Sequence, residues 1–337
     1  MKVSIIIPIL NEINYLRQCL DSIINNTTII DNTEILLIDG GSKDGTIEII
    51  NEYVSKYKNI KYYKNLRGIT PAALNIGLLN SSGLYIVRLD AHAKYQNHYI
   101  DECVSELENA DSSVLNVGGT IKTTPGGEKS VSKAIAYVLS SLIGVGNSFF
   151  RTSKLDSYKF VETVPFGCFR RSVIDIVGLF NEEEPRNEDL EYNKRIIKSG
   201  RKILCSNKIS SEYYARQTVK GFLKQAFNNG FIVTNKSRGD NSFHNLRHFI
   251  PFLFVIYFIL SLFLFVFFDN IASDLIAYSW IFYLLIVYFF SILSFVRKGG
   301  FLIHTTIFPV IVFLLHLFYG VGSVFGAFYY LSSKVGK

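Results

Sequence analysis

The stretch YIVRLDAH, residues 85–92, guides the interpretation of the N-terminal part of the chain. A run of apolar residues ends at the carboxylate of Asp90, and the imidazole of His92 follows two positions later. Side chains at positions i and i+2 leave a strand on the same face, so the pair is predicted to lie together at a strand end. A carboxylate and an imidazole placed this way could hold one divalent cation, which would neutralise a diphosphate. The alternative is a buried strand followed by a polar turn.

Further apolar runs on both sides of this stretch also end at polar turns. They predict buried strands over residues 3–8, 34–39, 60–63 and 114–117. Apolar residues spaced three and four apart predict helices between the strands. Thr46 and Thr70, the latter followed by Pro71, are expected to cap two of these helices. The alternation of strand and helix specifies an α/β domain with a mostly parallel sheet.

Four carboxylates fall at or just beyond the predicted strand ends, namely Glu12, Asp39, Asp44 and Asp90. Ligands of open α/β sheets bind beyond the carboxyl ends of the strands. The shared position of these side chains therefore predicts a binding site at this edge of the sheet.

A second pair of carboxylates, Glu188 and Asp189, opens a predicted helix that ends at Gly200. Carboxylates in a first helical turn are often only partners of the helix dipole, so that interpretation stands beside a catalytic one. The residues that follow, 201–205, predict an edge strand.

Two apolar segments leave alternatives open. Residues 131–143 are too few to span a bilayer, and they are expected to lie on the membrane surface, line an acceptor cleft or form a core helix. A helix beginning at Thr218 carries Lys220 and Lys224 and precedes further basic residues within 236–247. This pattern fits an amphipathic helix lying on anionic headgroups, with core packing as the alternative.

The composition is too apolar for an ordinary soluble enzyme, since only 19% of the 337 residues are charged and 48 are Phe or Tyr, 28 and 20 respectively. The uncharged runs 249–268, 275–296 and 301–331 predict three membrane-spanning helices, with the last one tilted, kinked at Pro309 or partly interfacial. The net charge of +7 suits anionic lipid surfaces or phosphate-bearing substrates, and so modest an excess does not indicate nucleic-acid binding.

The charges between the predicted spans indicate an orientation. The first connection, residues 269–274, is acidic, whereas the second carries Arg297 and Lys298. Because Lys and Arg favour the cytoplasmic side, residues 1–248 are predicted to be cytoplasmic in a multi-pass protein of the plasma or inner membrane. Three spans would place Lys334 and Lys337 outside, in mild conflict with the same rule.

The cysteines and the N-terminus agree with a cytosol-facing N-terminal part. Four cysteines lie far apart without a Cys-x-x-Cys pair, which predicts reduced core thiols. The N-terminus runs directly into a predicted strand and lacks the pattern of a signal peptide.

Six short motifs give the chain a resemblance to a known family. They are SIIIPILNE (4–12), LLIDGGSKDGT (36–46), RGITPAALNIG (67–77), VRLDAHA (87–93), VPFGCFRR (164–171) and NEDLEYNKR (187–195). In this order they resemble the family 2 glycosyltransferases, most closely the membrane-attached branch that is similar to the succinoglycan biosynthesis protein ExoA. Each motif alone is weak, and the resemblance rests on the set.

The resemblance implies a nucleotide-sugar-binding domain of the GT-A type over residues 1–216, followed by an interfacial helical segment, 217–248, and a transmembrane region, 249–331. It implies a metal-dependent, inverting transfer of a hexose-type sugar in surface polysaccharide synthesis. The donor is expected to be a nucleotide sugar, with a UDP-sugar favoured, and the acceptor a lipid-linked or growing saccharide at the membrane. The cofactor is expected to be Mn²⁺ or Mg²⁺.

Residue roles also follow from the resemblance. Asp189, with Glu188 beside it, would be the general base, and Asp90 with His92 would hold the metal. The substrate-binding residues implied are Pro8, Glu12, Asp39, Asp44, Arg67 and Arg216. Among them, Glu12 and Asp39 would contact the base and ribose of the donor, with Asp44 and Arg67 nearby. An inverting transfer needs a carboxylate to accept the proton of the attacking hydroxyl, and positive charge on the departing nucleoside diphosphate.

Two departures from the family pattern define the alternatives. Asp90-Ala91-His92 replaces the usual Asp-x-Asp, and the Gln-x-x-Arg-Trp motif of processive synthases is absent. Arg216 could serve the diphosphate in its place. A catalytically silent membrane scaffold of a polysaccharide assembly complex is therefore the main alternative, and a nucleotidyltransferase is a weaker one.

Overall fold

The structure, a computed structural model, describes residues 2–146, 148–152, 157–184, 188–235, 249–267 and 271–335. Within these residues the chain forms two compact units. The first unit is bounded by Met1–Lys122 and Phe149–Tyr213, and the second by Thr123–Ser148 and Tyr214–Lys337.

The strands of the described chain are β1 Val3–Ile9, β2 Thr33–Asp39, β3 Ile60–Lys64, β4 Tyr85–Arg88, β5 Ala93–Tyr95, β6 Val114–Thr124, β7 Tyr158–Phe160, β8 Cys168–Arg170 and β9 Lys202–Tyr214. The helices are α1 Leu16–Ile24, α2 Thr46–Lys56, α3 Thr70–Asn80, α4 Tyr99–Asn109, α5 Ser130–Val138, α6 Leu142–Val145, α7 Phe149–Thr152, α8 Val173–Val177, α9 Glu188–Lys198, α10 Val219–Thr234, α11 Ile250–Phe267, α12 Ile271–Lys298 and α13 Phe308–Val335. A 3-10 turn, Ile30–Asn32, precedes β2, and a π-helical turn, Ile303–Ile307, precedes α13.

The sheet is mixed. Its order is β3-β2-β1-β4-β8-β6-β9-β5, with β7 also paired to β9. The pairs β1–β2, β1–β4 and β2–β3 are parallel, as predicted, whereas β8 runs antiparallel to β4 and β6, and β9 antiparallel to β5 and β7. The α/β domain therefore has a parallel N-terminal half and an antiparallel remainder.

The prediction of an edge strand over residues 201–205 was wrong. Strand β9 continues to Tyr214 and has neighbours on both sides, β6 and β5. The apolar pattern ends early because two exposed polar residues, Asn207 and Lys208, interrupt the strand.

The central strands are buried on both faces. In β1, Ile5 and Ile7 pack into one apolar cluster and Ile6 packs into a second one, since successive side chains of a strand point to opposite faces. Strand β2 divides its apolar residues in the same way. Burial on both faces explains why these strands are continuous apolar runs in the sequence.

The predicted core thiols are observed as buried, free cysteines: Cys19, Cys103, Cys168 and Cys205. All four belong to the first unit.

The second unit is helical, and its core joins α5, α10, α12 and α13. Residues 131–143 contribute buried Ala134, Ile135 and Ala136 to this core, so the core-helix interpretation of that segment fits the structure. Helix α10 packs its face of Phe222, Ala226 and Gly230 into the unit.

Helix α10 approaches α13 backbone to backbone. A Cβ on Gly230 would lie 1.9 Å from the carbonyl oxygen of Tyr319, and one on Gly322 would lie 2.1 Å from that of Phe227. Lys220 and Lys224 remain exposed on α10, while the basic residues predicted to assist them, Lys236, Arg238 and Arg247, lie outside the described residues. Contact of α10 with lipid headgroups stays a prediction.

Among the residues that the structure describes, three helical segments are long and apolar enough to cross a membrane: Ile250–Phe267, Ser273–Lys298 and Ile303–Ser332. The π-helical turn in the last segment lies beside Pro309, which lacks an N–H to donate to the Thr305 carbonyl. The hydroxyl of Tyr288 donates to that carbonyl instead, at 3.2 Å. The irregularity predicted near Pro309 is therefore a local π turn.

Candidate active site

Asp39 shapes the loop after β2. Its carboxylate, 3% exposed, accepts the N–H of Gly41 at 2.8 Å and hydrogen bonds from the N–H and hydroxyl of Ser42. Gly41 has a φ of +93°, a conformation that favours glycine. Asp39 is thus placed at the predicted edge of the sheet, with its oxygens engaged by its own turn.

Asp44 and Thr46 link this loop to the loop after β1. The Thr46 hydroxyl donates to Asp44 Oδ1 at 2.5 Å and accepts the N–H of Glu12 at 2.9 Å. The prediction of Thr46 as the capping residue of α2 was wrong, because Gly45 occupies the cap position and Thr46 is the first helical residue. Thr70 likewise begins α3 without a side-chain cap bond.

Glu12 and His92 form the next contact. His92 Nδ1 lies 2.9 Å from Glu12 Oε1, and His92 Nε2 lies 3.9 Å from Asp90 Oδ2. The three side chains are partly exposed, at 18%, 30% and 23% for Glu12, His92 and Asp90. The structure therefore brings together Glu12, His92 and Asp90, as the shared strand-end position predicts.

The backbone of Asp90 is held by a buried tyrosine. The Tyr95 hydroxyl accepts the Asp90 N–H at 2.8 Å and donates to the Asp90 carbonyl at 3.0 Å. Tyr95 is itself 2% exposed and packs edge-on against Phe166. These contacts fix the backbone from which the Asp90 side chain extends.

Arg88, the last residue of β4, joins Asp90 to the start of α9. Its Nη2 lies 3.0 Å from Asp90 Oδ1 and 3.0 Å from Glu188 Oε1, and its Nη1 lies 3.3 Å from Asp189 Oδ2. The Arg88 side chain is 7% exposed and lies over the ring of Phe166, 5.9 Å from its centre. Two carboxylate segments far apart in sequence thus converge on one buried guanidinium.

The surroundings of Asp189 favour its protonated form. Burial raises the pKa of this carboxyl to about 7; the positive charge of Arg88 opposes the rise, and the charges of Glu188 and Asp90 add to it. A carboxylate with this pKa is suited to accept a proton near neutral pH.

The other predicted residues have different surroundings in the fold. Arg67 is paired with Glu182, which also accepts a bond from Asn75 at 2.8 Å, and the Arg67 side chain is 60% exposed. Pro8 lies within β1 opposite Ile38 of β2. Arg216 belongs to the second unit, just before α10.

A metal would find two adjacent donors here. Asp90 Oδ2 and His92 Nε2 are close enough to share one cation, but the described residues assemble no group of three His, Cys, Asp or Glu that could hold a metal. Mg²⁺ and similar ions are commonly bound by one or two protein ligands together with substrate phosphates. The donor set fits such a site and does not fit one built from protein ligands alone.

The sequence analysis missed Arg88 as part of this site. The available signal was a charged residue inside an otherwise apolar strand, because a buried charge requires partners of opposite sign. Tyr95 and Glu182 carried no comparable signal.

Comparisons with known proteins agree with this architecture. The family model described as "Glycosyl transferase family 2" matches residues 4–177. A Methanococcus voltae protein, named dolichyl N-acetyl-alpha-D-glucosaminyl phosphate 3-beta-D-2,3-diacetamido-2,3-dideoxy-beta-D-glucuronosyltransferase, is 32% identical over 234 residues, 68% of this chain and 71% of the relative. The succinoglycan biosynthesis protein ExoA of Rhizobium meliloti is 29% identical over 250 residues, 73% of each chain.

Among solved structures, the mannosyltransferase PcManGT from Pyrobaculum calidifontis, in complex with GDP-Man and Mn²⁺, is similar with a TM-score of 0.58. The match covers 93% of this chain and 85% of that one, at 14% identity. The similarity concerns the fold, and it confirms the predicted α/β domain of the GT-A type.

Proposed function

This chain belongs to glycosyl transferase family 2, and from that membership we propose that it is a membrane-bound inverting glycosyltransferase. It moves a sugar from a nucleotide-sugar donor to a lipid-linked or growing saccharide acceptor. The observation that carries the proposal is the convergence of Asp90 and Asp189 on Arg88, because these carboxylates divide the two tasks of the reaction.

In the proposed reaction, Asp189 accepts the proton of an acceptor hydroxyl. The hydroxyl oxygen forms a bond to the anomeric carbon while the bond from that carbon to the donor phosphate breaks on the opposite face. A single displacement of this kind inverts the anomeric configuration. Asp189 is suited to the task because its raised pKa makes it a stronger base than an ordinary carboxylate.

The donor diphosphate requires positive charge as it departs. Asp90 Oδ2 and His92 Nε2 would hold a divalent cation, Mn²⁺ or Mg²⁺, which when bound supplies that charge. Glu12 orients the His92 ring through Nδ1. We expect a UDP-sugar as donor, with Glu12 and Asp39 at its base and ribose, Asp44 nearby, and Pro8 also in the substrate-binding site.

Arg216 is assigned to the donor diphosphate in the same proposal. Arg67, assigned near the base and ribose, would exchange its present partner, Glu182, for the donor, since its side chain is largely exposed.

The membrane supplies the acceptor in this proposal. Three apolar helices support attachment to the plasma or inner membrane, and Arg297 and Lys298 between the last two support a cytoplasmic catalytic unit. The Methanococcus voltae relative has a dolichyl-linked sugar phosphate in its name, which supports a lipid-linked acceptor.

The proposal is tested by nucleotide release from detergent-purified full-length chain. UDP-, GDP- and dTDP-sugars are offered with Mn²⁺ or Mg²⁺ and a membrane lipid extract. Release that requires both metal and lipid, and that is lost in Asp189→Asn and Asp90→Ala but kept in Asp31→Asn, supports a transferase. Asp31 is a matched control because it is an exposed aspartate.

Tight nucleotide binding without release from any donor would contradict the transferase proposal. That outcome would favour the silent-scaffold alternative, which draws on the small number of protein metal ligands among the described residues.

A further inference from the structure

The guanidinium of Arg88 divides its two terminal nitrogens between the two halves of the site. Nη2 contacts Asp90 and Glu188, and Nη1 contacts Asp189. Within the described part of the chain, Nε has no hydrogen-bond partner. Both terminal nitrogens of the Arg88 guanidinium are therefore directed at carboxylates of the site.

The position of Arg88 is fixed from several sides. It ends β4, where its N–H donates to the Gly167 carbonyl at 2.9 Å, and its side chain is covered by Phe166. Because only 7% of the Arg88 side chain is exposed, the side chain has little freedom to move. The carboxylates are consequently arranged around Arg88.

The contact with Asp90 also selects the oxygen that remains available. Oδ1 is bound to Arg88 at 3.0 Å, while Oδ2 is directed toward His92 Nε2. The same guanidinium therefore orients the predicted metal ligand and the predicted base.

We propose that Arg88 is the positioning residue of the transfer reaction, holding Asp189 at a fixed distance from the donor-binding carboxylate Asp90. The proposal rests on the proposed function. In this role Arg88 acts through Asp189, by fixing where the proton acceptor stands, and not by contact with the sugar or the acceptor. A misplacement of a reacting group by about 1 Å can reduce a rate about 100-fold.

Replacing Arg88 by lysine distinguishes a positioning role of the guanidinium from a role of its positive charge alone. Arg88→Lys keeps the positive charge, but a single ammonium cannot reproduce a planar fork that contacts Asp90 and Asp189 through separate nitrogens. We expect kcat to fall about 10- to 100-fold with donor KM within about threefold, because the lost interaction is one that serves the transition state. The matched control is Arg201→Lys, a partly exposed arginine whose Nη1 contacts the Ser112 carbonyl.

The decisive test is a double-mutant cycle on nucleotide release by the purified full-length chain. If Arg88 acts through Asp189, then Arg88→Lys in the Asp189→Asn background costs less than about threefold further in kcat. Donor affinity measured calorimetrically, together with the apparent melting temperature, shows whether each variant is folded and binds donor. Arg88→Met is added as a stronger perturbation, and Arg88→Lys remains informative if Arg88→Met fails to fold.

Two results would overturn the inference while leaving the proposed function intact. One is wild-type release with an unchanged kcat in Arg88→Lys. The other is a loss that multiplies fully with Asp189→Asn or appears only in donor KM, which would make Arg88 a part of donor binding. Absence of release by the wild-type chain with every donor would instead refute the proposed function, and the role of Arg88 in transfer with it.

Discussion

His92 Nδ1 lies 2.9 Å from a carboxylate oxygen of Glu12, which directs His92 Nε2 toward Asp90. Histidines that ligate metals commonly donate their other ring N–H to a carboxylate, and this contact sets the tautomer. The family resemblance had implied that Glu12 contacts the base or ribose of the donor. The geometry adds a second role, orientation of the imidazole.

We predict that Glu12→Gln raises the Mn²⁺ concentration needed for donor binding about 10- to 100-fold, because the imidazole loses its charged partner and binds the metal more weakly. The measurement is the Mn²⁺ concentration that half-saturates UDP binding, with Glu48→Gln as an exposed control. An unchanged Mn²⁺ dependence accompanied by altered base selectivity would return Glu12 to the base and ribose.

Transfer should depend on pH through Asp189. Burial raises the pKa of this carboxyl to about 7, and only the ionised form accepts a proton. The rate therefore rises with pH through about 7 and falls about tenfold per pH unit below it. The measurement is kcat at saturating donor across this range. A rate that is constant from about pH 5 to pH 8 would show that ionisation of Asp189 does not limit transfer.

Glu34 should set part of the acid stability of the first unit. Its buried carboxylate accepts bonds from Ser4, Ser82 and Lys61. Burial by itself would raise the pKa of Glu34, but these bonds, led by Lys61, lower it to about 2. The resulting stabilisation is complete above the ordinary pKa of 4.5 and is lost as pH falls toward about 2.

Glu34→Gln is therefore expected to lower the free energy of unfolding by up to about 3 kcal/mol at neutral pH, with the difference shrinking in acid. The apparent melting temperature as a function of pH measures it. Glu52→Gln breaks a solvent-exposed pair with Arg17 and is expected to change the free energy of unfolding much less than Glu34→Gln does. Equal effects of the two substitutions would contradict this account of Glu34.

The sequence predicted the parallel strands because both of their faces are buried. Continuous apolar runs such as the one before Pro8 leave little choice of structure. Strand β8 was not predicted because it has only three residues, and only the first part of β9 was predicted because the exposed Asn207 and Lys208 interrupt its apolar pattern. Long-range pairing, which no local pattern encodes, determines where they lie.

Only part of the candidate site was predicted, because sequence patterns locate strand ends but not contacts between distant segments. Asp90 and Glu12 follow strand ends that must share one edge of the sheet. Arg88 and Glu188 are 100 positions apart, and no spacing rule brings them together. The engagement of Asp39 with its own turn was equally hidden, because the same carboxylate could serve a loop or a ligand.

The contact between α10 and α13 gives a prediction about the helical unit. A methyl group on Gly230 would meet the Tyr319 carbonyl oxygen at 1.9 Å, and backbone cannot yield as a flexible side chain does. Gly230→Ala is expected to destabilise the unit by about 1–3 kcal/mol, seen as a lower apparent melting temperature in detergent. Gly127→Ala, where the nearest atom is a Gln217 carbon at 3.7 Å, is the control. Equal melting temperatures for both would contradict the close approach.

Transfer of radiolabelled sugar into organic-extractable lipid is the direct test of sugar transfer to a membrane-borne acceptor. Purified chain, the donor that supports nucleotide release, Mn²⁺ and membrane lipid are combined, and the lipid phase is counted. We expect label in lipid with the wild-type chain and with Asp31→Asn, and a loss of about 100-fold or more with Asp189→Asn. Equal labelling by the wild type and Asp189→Asn, or label that remains in free sugar with every acceptor, would contradict it.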